Sequence, residues 1–179
     1  EIGKEWFEQI DALEKHITGM TAKEVKEIEV YEKDANHTAV PATDSDLAAS
    51  VTISIDGYQS VVAKAIENAV KVDGLDKIGM GHDISIDAAK AQVNTSISFV
   101  GLDADGKVVW SVVDVAQTKG EAGADVRTKL DKGSDYGMKD TSANMGNIEG
   151  GAEWDEQAKS SVEFITGKTA KEIAAIETE

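Results

Sequence analysis

Residues 93–115 read VNTSISFVGLDADGKVVWSVVDV, and this stretch decides the fold class of the chain. Its first part alternates apolar with polar residues, the pattern of a strand that buries one side. The residues on the predicted buried side are Val93, Thr95, Ile97 and Phe99. The run VVWSVVDV at 108–115 is β-branched and aromatic, as strands tend to be. DADGK between the two runs predicts a hairpin turn in which Gly106 adopts a positive φ.

Outward from this hairpin, the sequence predicts a third antiparallel strand over residues 77–87 and a long connection after the sheet. Residues 118–150 are rich in glycine, aspartate and lysine, and we expect a loop there with a short helix near residues 126–130. A loop of that length is unusual in a compact domain and is more often functional than idle. Tyr136 begins a YGMK segment within it. This tyrosine either lines a flat ligand or pins the loop onto the sheet, and we favour pinning.

The two ends of the chain repeat each other. Residues 5–31, EWFEQIDALEKHITGMTAKEVKEIEVY, and residues 153–179, EWDEQAKSSVEFITGKTAKEIAAIETE, are identical at 13 of 27 positions, 148 residues apart. A self-match at a domain-sized spacing predicts that the chain holds parts of two copies of one unit.

Each copy has the pattern of a helix, a tight turn and a second helix. The apolar stripe of the first copy, which we expect to be buried, comprises Trp6, Ile10, Leu13 and Ile17. The weaker stripe of the second copy comprises Trp154, Ala158, Val162 and Ile165. Gly19 is predicted to end the first helix with a positive φ, while Thr21 and Glu24 have the spacing of a capping box. The same device recurs at Gly167, Thr169 and Glu172. These features favour helix-turn-helix scaffolding over the alternative, a direct binding role.

Between the first repeat and the sheet lie a predicted connector and a predicted helix. Residues 34–46, DANHTAVPATDSD, hold the only proline and several turn formers, which is typical of a connector. Ser54 is the predicted N-cap of the helix that follows. The apolar face of that helix comprises Ile55, Tyr58, Val62, Ala65, Ile66 and Ala69.

These elements predict an α+β fold, in which a small antiparallel sheet of three or more strands packs with helices. We expect residues 1–74 to be the helical C-terminal half of one repeat unit. Residues 75–179 are then the sheet and helix pair of the next unit. The two parts either stay separate or close into a single compact domain.

Composition excludes several functional classes. With 34 acidic and 18 basic residues the net charge is −16, so the surface repels nucleic acids and anionic lipids. The absence of cysteine removes disulfides, thiolate metal sites and cysteine nucleophiles. His16, His37 and His82 lack the paired spacing of zinc ligands, and we interpret His82, beside glycine, as a loop or strand-edge residue. Neither a nucleophile elbow nor a phosphate-binding loop occurs, so catalysis has no support in the sequence.

Three segments carry a resemblance to a known family. Residues 101–123, GLDADGKVVWSVVDVAQTKGEAG, resemble the family's strand, DGK turn, strand and ETPGLG-type loop. EWDEQ and ITGKT, within residues 153–169, are similar to its tryptophan, glutamine and GK segment. Residues 43–66, TDSDLAASVTISIDGYQSVVAKAI, resemble its SGATxTS segment and amphipathic helix. On these segments the chain resembles repeat-containing lipoproteins of clostridia and related Gram-positive bacteria and, more distantly, the FMN-binding domain of electron-transport subunits.

The resemblance implies a flavin site and names its residues. Thr52 matches the threonine that carries flavin as a phosphodiester in some relatives, and Ser50 and Ser54 flank it. Thr118 and Gly120 match the loop that touches the flavin. The sequence departs from the family at Ser50, where the family has glycine, and at Val51, Lys119 and Asp56. The implied cofactor is FMN.

The resemblance also implies an FMN-binding-domain-like fold that is incomplete in chain order. Residues 77–179 would be closed by residues 43–70 of the same chain, a permuted arrangement, or by that segment of a neighbouring molecule. The second alternative implies domain-swapped or head-to-tail self-association.

Three functions follow as hypotheses. The leading one is a non-catalytic, extracytoplasmic repeat lipoprotein domain on the surface of a Gram-positive bacterium, which binds a small flat ligand such as a flavin. The second is an FMN-carrying electron-transfer module. The third is a structural or adhesive surface spacer. We expect no nucleic acid partner, and membrane contact only through a lipid anchor outside this span.

Overall fold

The computed structural model describes residues 2–146 and 148–177 and has an α+β fold. Within these residues it contains seven α-helices, a two-stranded antiparallel sheet and a three-stranded antiparallel sheet. The chain divides into two compact units, Glu1–Lys71 and Val72–Glu179, each with its own sheet. The α+β fold class predicted from the sequence is confirmed.

Unit 1 is mainly helical. Its elements are α1 (Trp6–Ile17), α2 (Ala22–Lys26), β1 (Val30–Tyr31), β2 (Val40–Pro41), a 3-10 turn (Asp46–Ala49) and α3 (Asp56–Glu67). Thr21 caps α2 by accepting a hydrogen bond from the Glu24 N–H (3.3 Å), and the Glu24 carboxylate accepts one from the Thr21 N–H (2.7 Å). Gly19, with φ of 89°, follows α1. The predicted helix, turn and capping box of the first repeat are confirmed.

The core of unit 1 forms where α1 meets the segment before α3. Its buried cluster comprises Leu13, Leu47, Val51 and Ile55. Trp6 was predicted to be buried with Leu13, and this is wrong, because its side chain is 57% exposed. The indole N–H donates to the Tyr58 hydroxyl (3.2 Å) instead of entering the core. The inward face of α1 runs through Gln9 and Leu13, which are 7% and 4% exposed.

Two other predictions for unit 1 need correction. The N-cap of α3 is Ile55 and not Ser54, whose hydroxyl accepts a hydrogen bond from the Ala39 N–H (3.3 Å). Residues 34–46 are more than a connector, since they contain β2 and buried Ala39, Val40 and Pro41. Strands of two residues are too short to show an alternating pattern in the sequence.

Unit 2 is built on the predicted sheet. Its strands are β3 (Lys77–Asp87), β4 (Gln92–Leu102) and β5 (Val108–Lys119), in the spatial order β3-β4-β5. Gly106 has φ of 77° in the turn between β4 and β5, as predicted. The third predicted strand, 77–87, has the observed bounds. β5 is longer than predicted and includes Thr118, which pairs with Val93.

The helices of unit 2 follow the sheet. They are α4 (Lys129–Lys132), α5 (Lys139–Met145), α6 (Trp154–Ile165) and α7 (Ala170–Ala174), with a 3-10 turn at Gly133–Tyr136. The predicted loop of 118–150 therefore holds three helical segments, and its short helix starts at Lys129 and not near residue 126. Gly167 (φ 82°) and the capping box of Thr169 and Glu172 repeat the device seen in unit 1.

The prediction of a buried apolar side of β4 is wrong. Val93, Ile97 and Phe99 are 41%, 39% and 43% exposed. On the opposite side of the sheet, Gln117 bonds to Tyr136, and the β4 residues of that side, Asn94, Ser96 and Ser98, are half-buried. Periodicity shows that two sides differ, but the packed side is selected by the elements that follow in the chain.

Candidate functional site

A short hairpin forms one wall of the best candidate site, in unit 1. Tyr31 of β1 pairs with Val40 of β2. Asp34 and His37 close the hairpin, where a carboxylate oxygen lies 2.8 Å from the imidazole Nδ1. This hydrogen bond, followed by one from the Asn36 N–H, holds the pKa of Asp34 below its ordinary value. The turn therefore has a defined shape, and Lys33 lies in the short segment between Tyr31, the last residue of β1, and this turn.

The loop before α3 forms the opposite wall and is anchored by Gln9. The Gln9 side-chain oxygen accepts a hydrogen bond from the Thr52 N–H (2.9 Å) and a longer one from the Thr52 hydroxyl (3.4 Å). The Gln9 amide nitrogen donates to the Lys4 carbonyl (3.1 Å). Gln9 is only 7% exposed, so its amide is a buried group that links α1 to the loop and fixes the position of Thr52.

Tyr31, Lys33 and Thr52 line one cavity of about 350 Å³. The other lining residues are Val40, Pro41, Thr43, Ser45, Ala48, Ala49 and Val51. Tyr31 is 38% exposed, so its ring is accessible to a ligand. Among the described residues, no carboxylate pairs with the ammonium of Lys33. The cavity thus combines an apolar floor, an aromatic ring, hydroxyls and a cation.

The two serines that the resemblance implied as flavin ligands do not join Thr52 at this cavity. Ser50 lines a separate cavity of about 620 Å³ with residues of α1, so it does not share the Thr52 cavity. Ser54 is engaged with the Ala39 N–H. Asp56 stands in the first turn of α3, where its charge opposes an anion at the helix start. The predicted trio of Ser50, Thr52 and Ser54 is therefore not a single cradle.

Thr118 and Gly120 lie in unit 2 at the end of β5. Thr118 is a half-buried strand residue, and the Gly120 N–H donates to the Ala91 carbonyl (2.8 Å). Their surroundings are those of a sheet end, in place of the predicted open loop.

In the segment after β5, one side chain bonds to the sheet and another bonds within the segment itself. The Tyr136 hydroxyl donates to the Gln117 side-chain oxygen (2.9 Å), which agrees with the interpretation that the tyrosine pins the segment. The Arg127 guanidinium donates to Asp125 (3.1 Å) and to Asp135 (3.3 Å). Its hydrogen bonds lower the pKa of Asp125 to about 2. This clamp closes the turn that leads into α4.

The exposed side of the sheet has an apolar cleft of about 230 Å³. Phe99 and Val112 face each other across β4 and β5, and Leu130 lies at the margin with its N–H donating to Asp114 (3.2 Å). Ile78, Met80, Ile84 and Ile86 extend the exposed apolar surface along β3. Exposed apolar surface of this extent is typical of an interaction face.

Sequence reasoning missed Tyr31 and Lys33, the two side chains that give the Thr52 cavity its chemical character. They alternate in VYEK, and a short alternation of this kind signals a strand only when its partner, β2, is known. His82 lies in β3 at the sheet edge and pairs with Ile97.

Within residues 2–146 and 148–177, no cluster of three or more potential metal ligands occurs. None of the helices in those ranges has the length and apolar character to cross a bilayer. Comparisons with protein-family models, with curated proteins and with solved structures gave no match.

Proposed function

We propose that the chain is a non-catalytic ligand-binding module of an extracytoplasmic repeat lipoprotein, and that its ligand is a flat molecule with an anionic group, of the FMN class. The observation that carries the proposal is the shared cavity of Tyr31, Lys33 and Thr52. The lipoprotein character, the surface location and the flavin rest on the sequence resemblance described above.

The residues present fit such a ligand. The volume of about 350 Å³ lies within the range of small-molecule sites, about 300–1,000 Å³. Val40, Pro41 and Val51, each 3% exposed or less, form the packed apolar base of the cavity, and the 38% exposed Tyr31 ring offers a face on which a flat ring system stacks. The Thr52 hydroxyl, which lines the cavity, is a hydrogen-bonding group for the ligand.

Charge makes Lys33 the deciding residue for an anionic group. The chain has a net charge of −16, so a phosphate approaches against a repulsive field unless a local cation offsets it. Lys33 supplies that cation at the cavity, and the strength of its contact with phosphate should fall as salt rises.

The test compares FMN with riboflavin, which lacks the phosphate, by quenching of flavin fluorescence on titration with the protein. We expect FMN to bind more tightly than riboflavin. Lys33→Gln should weaken FMN about fivefold, the equivalent of about 1 kcal/mol, and leave riboflavin unchanged. Tyr31→Ala should weaken both flavins.

Two matched controls lie outside the cavity. Lys23→Gln removes an exposed lysine of α2, and Phe7→Ala removes a 60% exposed aromatic ring of α1. Neither should change flavin binding. Absence of saturable binding of both flavins, or equal losses for Lys23→Gln and Lys33→Gln, would show the proposal to be wrong.

A further inference from the structure

The two helix pairs are structural copies, 148 residues apart. α6 and α7 begin at the positions that correspond to the starts of α1 and α2. The Gln9 amide donates to the Lys4 carbonyl (3.1 Å), and the Gln157 amide donates to the Ala152 carbonyl (3.0 Å). Thr18 and Thr166 each donate to the carbonyl four residues earlier. A contact made by one pair therefore indicates what the same surface of the other can bind.

In unit 1 the helix pair binds the loop and helix of residues 50–67. The Thr52 N–H donates to Gln9, as described above. The Gln59 side chain donates to the carbonyls of Val25 (3.0 Å) and Ile28 (2.9 Å), near the end of α2. Val25, Ile55 and Ala63 are fully buried at this contact.

In unit 2 the corresponding surface is open. Among the described residues, none donates a hydrogen bond to the side-chain oxygen of Gln157. A cavity of about 450 Å³ lies beside it, lined by Ser160 and Ser161 of α6 and, on the segment before α6, by Ile148 and Gly151. Ile173, which corresponds to fully buried Val25, is only half-buried.

In unit 2 the sheet is hydrogen-bonded to the turn between α6 and α7. The Val108 N–H donates to the Lys168 carbonyl (2.9 Å), and the Gly167 N–H donates to the Val108 carbonyl (2.8 Å). Trp6 of unit 1 corresponds to Trp154 of unit 2. Trp6 is exposed, whereas Trp154 is half-buried beneath Lys129. The Gln157 side of the helix pair in unit 2 thus lacks the loop and helix that fill the Gln9 side of the helix pair in unit 1.

We infer that the open side of α6 and α7 is a docking surface for a loop–helix segment of a partner polypeptide with the chemistry of residues 50–67. That chemistry has three parts. A loop N–H bonds to the Gln157 side-chain oxygen, and an amphipathic helix covers Ile173. A glutamine seven residues after the loop N–H donates to the carbonyls of Ile173 and Ile176.

One substitution between the copies allows a sharp test. Leu13, which packs against Leu47, Val51 and Ile55, corresponds to Ser161 in the second copy. Ser161→Leu should therefore make the surface of unit 2 more complementary to the native segment of unit 1. A gain of affinity has the advantage that loss of folding cannot produce it.

The experiment titrates a fluorescein-labelled peptide of residues 43–70 into the full chain and measures anisotropy, with hydrogen exchange to locate the contact. We expect saturable binding, with slower exchange at residues 157–176. Ser161→Leu should tighten binding about tenfold, and Ser85→Leu, on exposed β3, should leave it unchanged. Gln157→Leu in the chain and Gln59→Leu in the peptide should each weaken it about tenfold.

Three outcomes would overturn the inference. One is the absence of saturable binding to both the wild-type chain and Ser161→Leu. Another is protection at residues 9–28 with no effect of Gln157→Leu, which would mean that the peptide only replaces α3 in unit 1. The third is sedimentation showing that Ser161→Leu tightens a dimer and excludes the peptide, because the occupant is then a second copy of the chain.

Discussion

At the scale of single residues, local sequence was informative wherever a side chain acts on its own backbone. Gly19 and Gly106 adopt the positive φ that their turns require, and Thr21 caps the next helix. These effects depend on a few neighbouring residues, so they could be read from the sequence. The exposure of Trp6 could not be read from the sequence, because it depends on which element packs against α1.

Asp125 provides a residue-scale prediction for pH. Its pKa is lowered from 3.8 to about 2, chiefly by hydrogen bonds from the Arg127 side chain. A carboxyl whose folded pKa lies below its unfolded value stabilises the fold above the unfolded value and loses that effect as pH falls. We therefore expect the Asp125 contribution to be complete above pH 3.8 and to disappear as pH falls to about 2.

The measurement is an NMR titration of the Asp125 carboxyl in wild type and in Arg127→Gln. The variant should return the pKa towards 3.8. Asp87, whose pKa is lowered by Lys90, is the internal control and should titrate alike in both proteins. An unchanged Asp125 titration in Arg127→Gln would contradict the role of the guanidinium.

At the scale of elements, Gly151 sets how closely the chain passes α5 on its way to α6. With φ of 70°, it lies where a Cβ would collide with the Lys139 carbonyl oxygen and the Ala143 methyl. Gly150 has a similar φ of 75°, but a Cβ there meets nothing within 4 Å. Substituting the two glycines in turn therefore separates the cost of a positive φ, which both share, from the cost of steric collision, which only Gly151 adds.

We expect Gly150→Ala to lower the free energy of unfolding by about 1–2 kcal/mol, the cost of a left-handed conformation. Gly151→Ala should cost about 1–3 kcal/mol more, because overpacking is added. Urea unfolding, followed by tryptophan fluorescence in a Trp6→Phe background that leaves only the tryptophans of unit 2, measures both. Equal losses would mean that the packing of α5 against this segment adapts without cost.

At the scale of the whole molecule, the division into two units predicts local effects of core substitutions. Ile55 is fully buried in unit 1, so Ile55→Ala should cost about 2–5 kcal/mol there. Amide hydrogen exchange should become faster in residues 39–63 and stay unchanged in residues 92–117, since unit 2 has its own sheet and helices.

Val61→Ala is the control for this experiment. Val61 lies in the same helix but is 60% exposed, so the change should have little effect on exchange in either unit. Faster exchange throughout both units in Ile55→Ala would instead indicate that the chain unfolds as one cooperative body.

The sequence by itself determined the fold class, the three long strands, the repeated helix pair and its caps. Each of these follows from periodicity or from contacts within a few residues along the chain. The tertiary structure decided which side of β4 is covered, that Trp6 is exposed, and that Tyr31 and Lys33 join Thr52 at one cavity. It also decided that one helix pair is filled by residues 50–67 and the other is open. These outcomes depend on contacts between residues far apart in sequence, and the local pattern of residues does not encode which distant element will cover a surface.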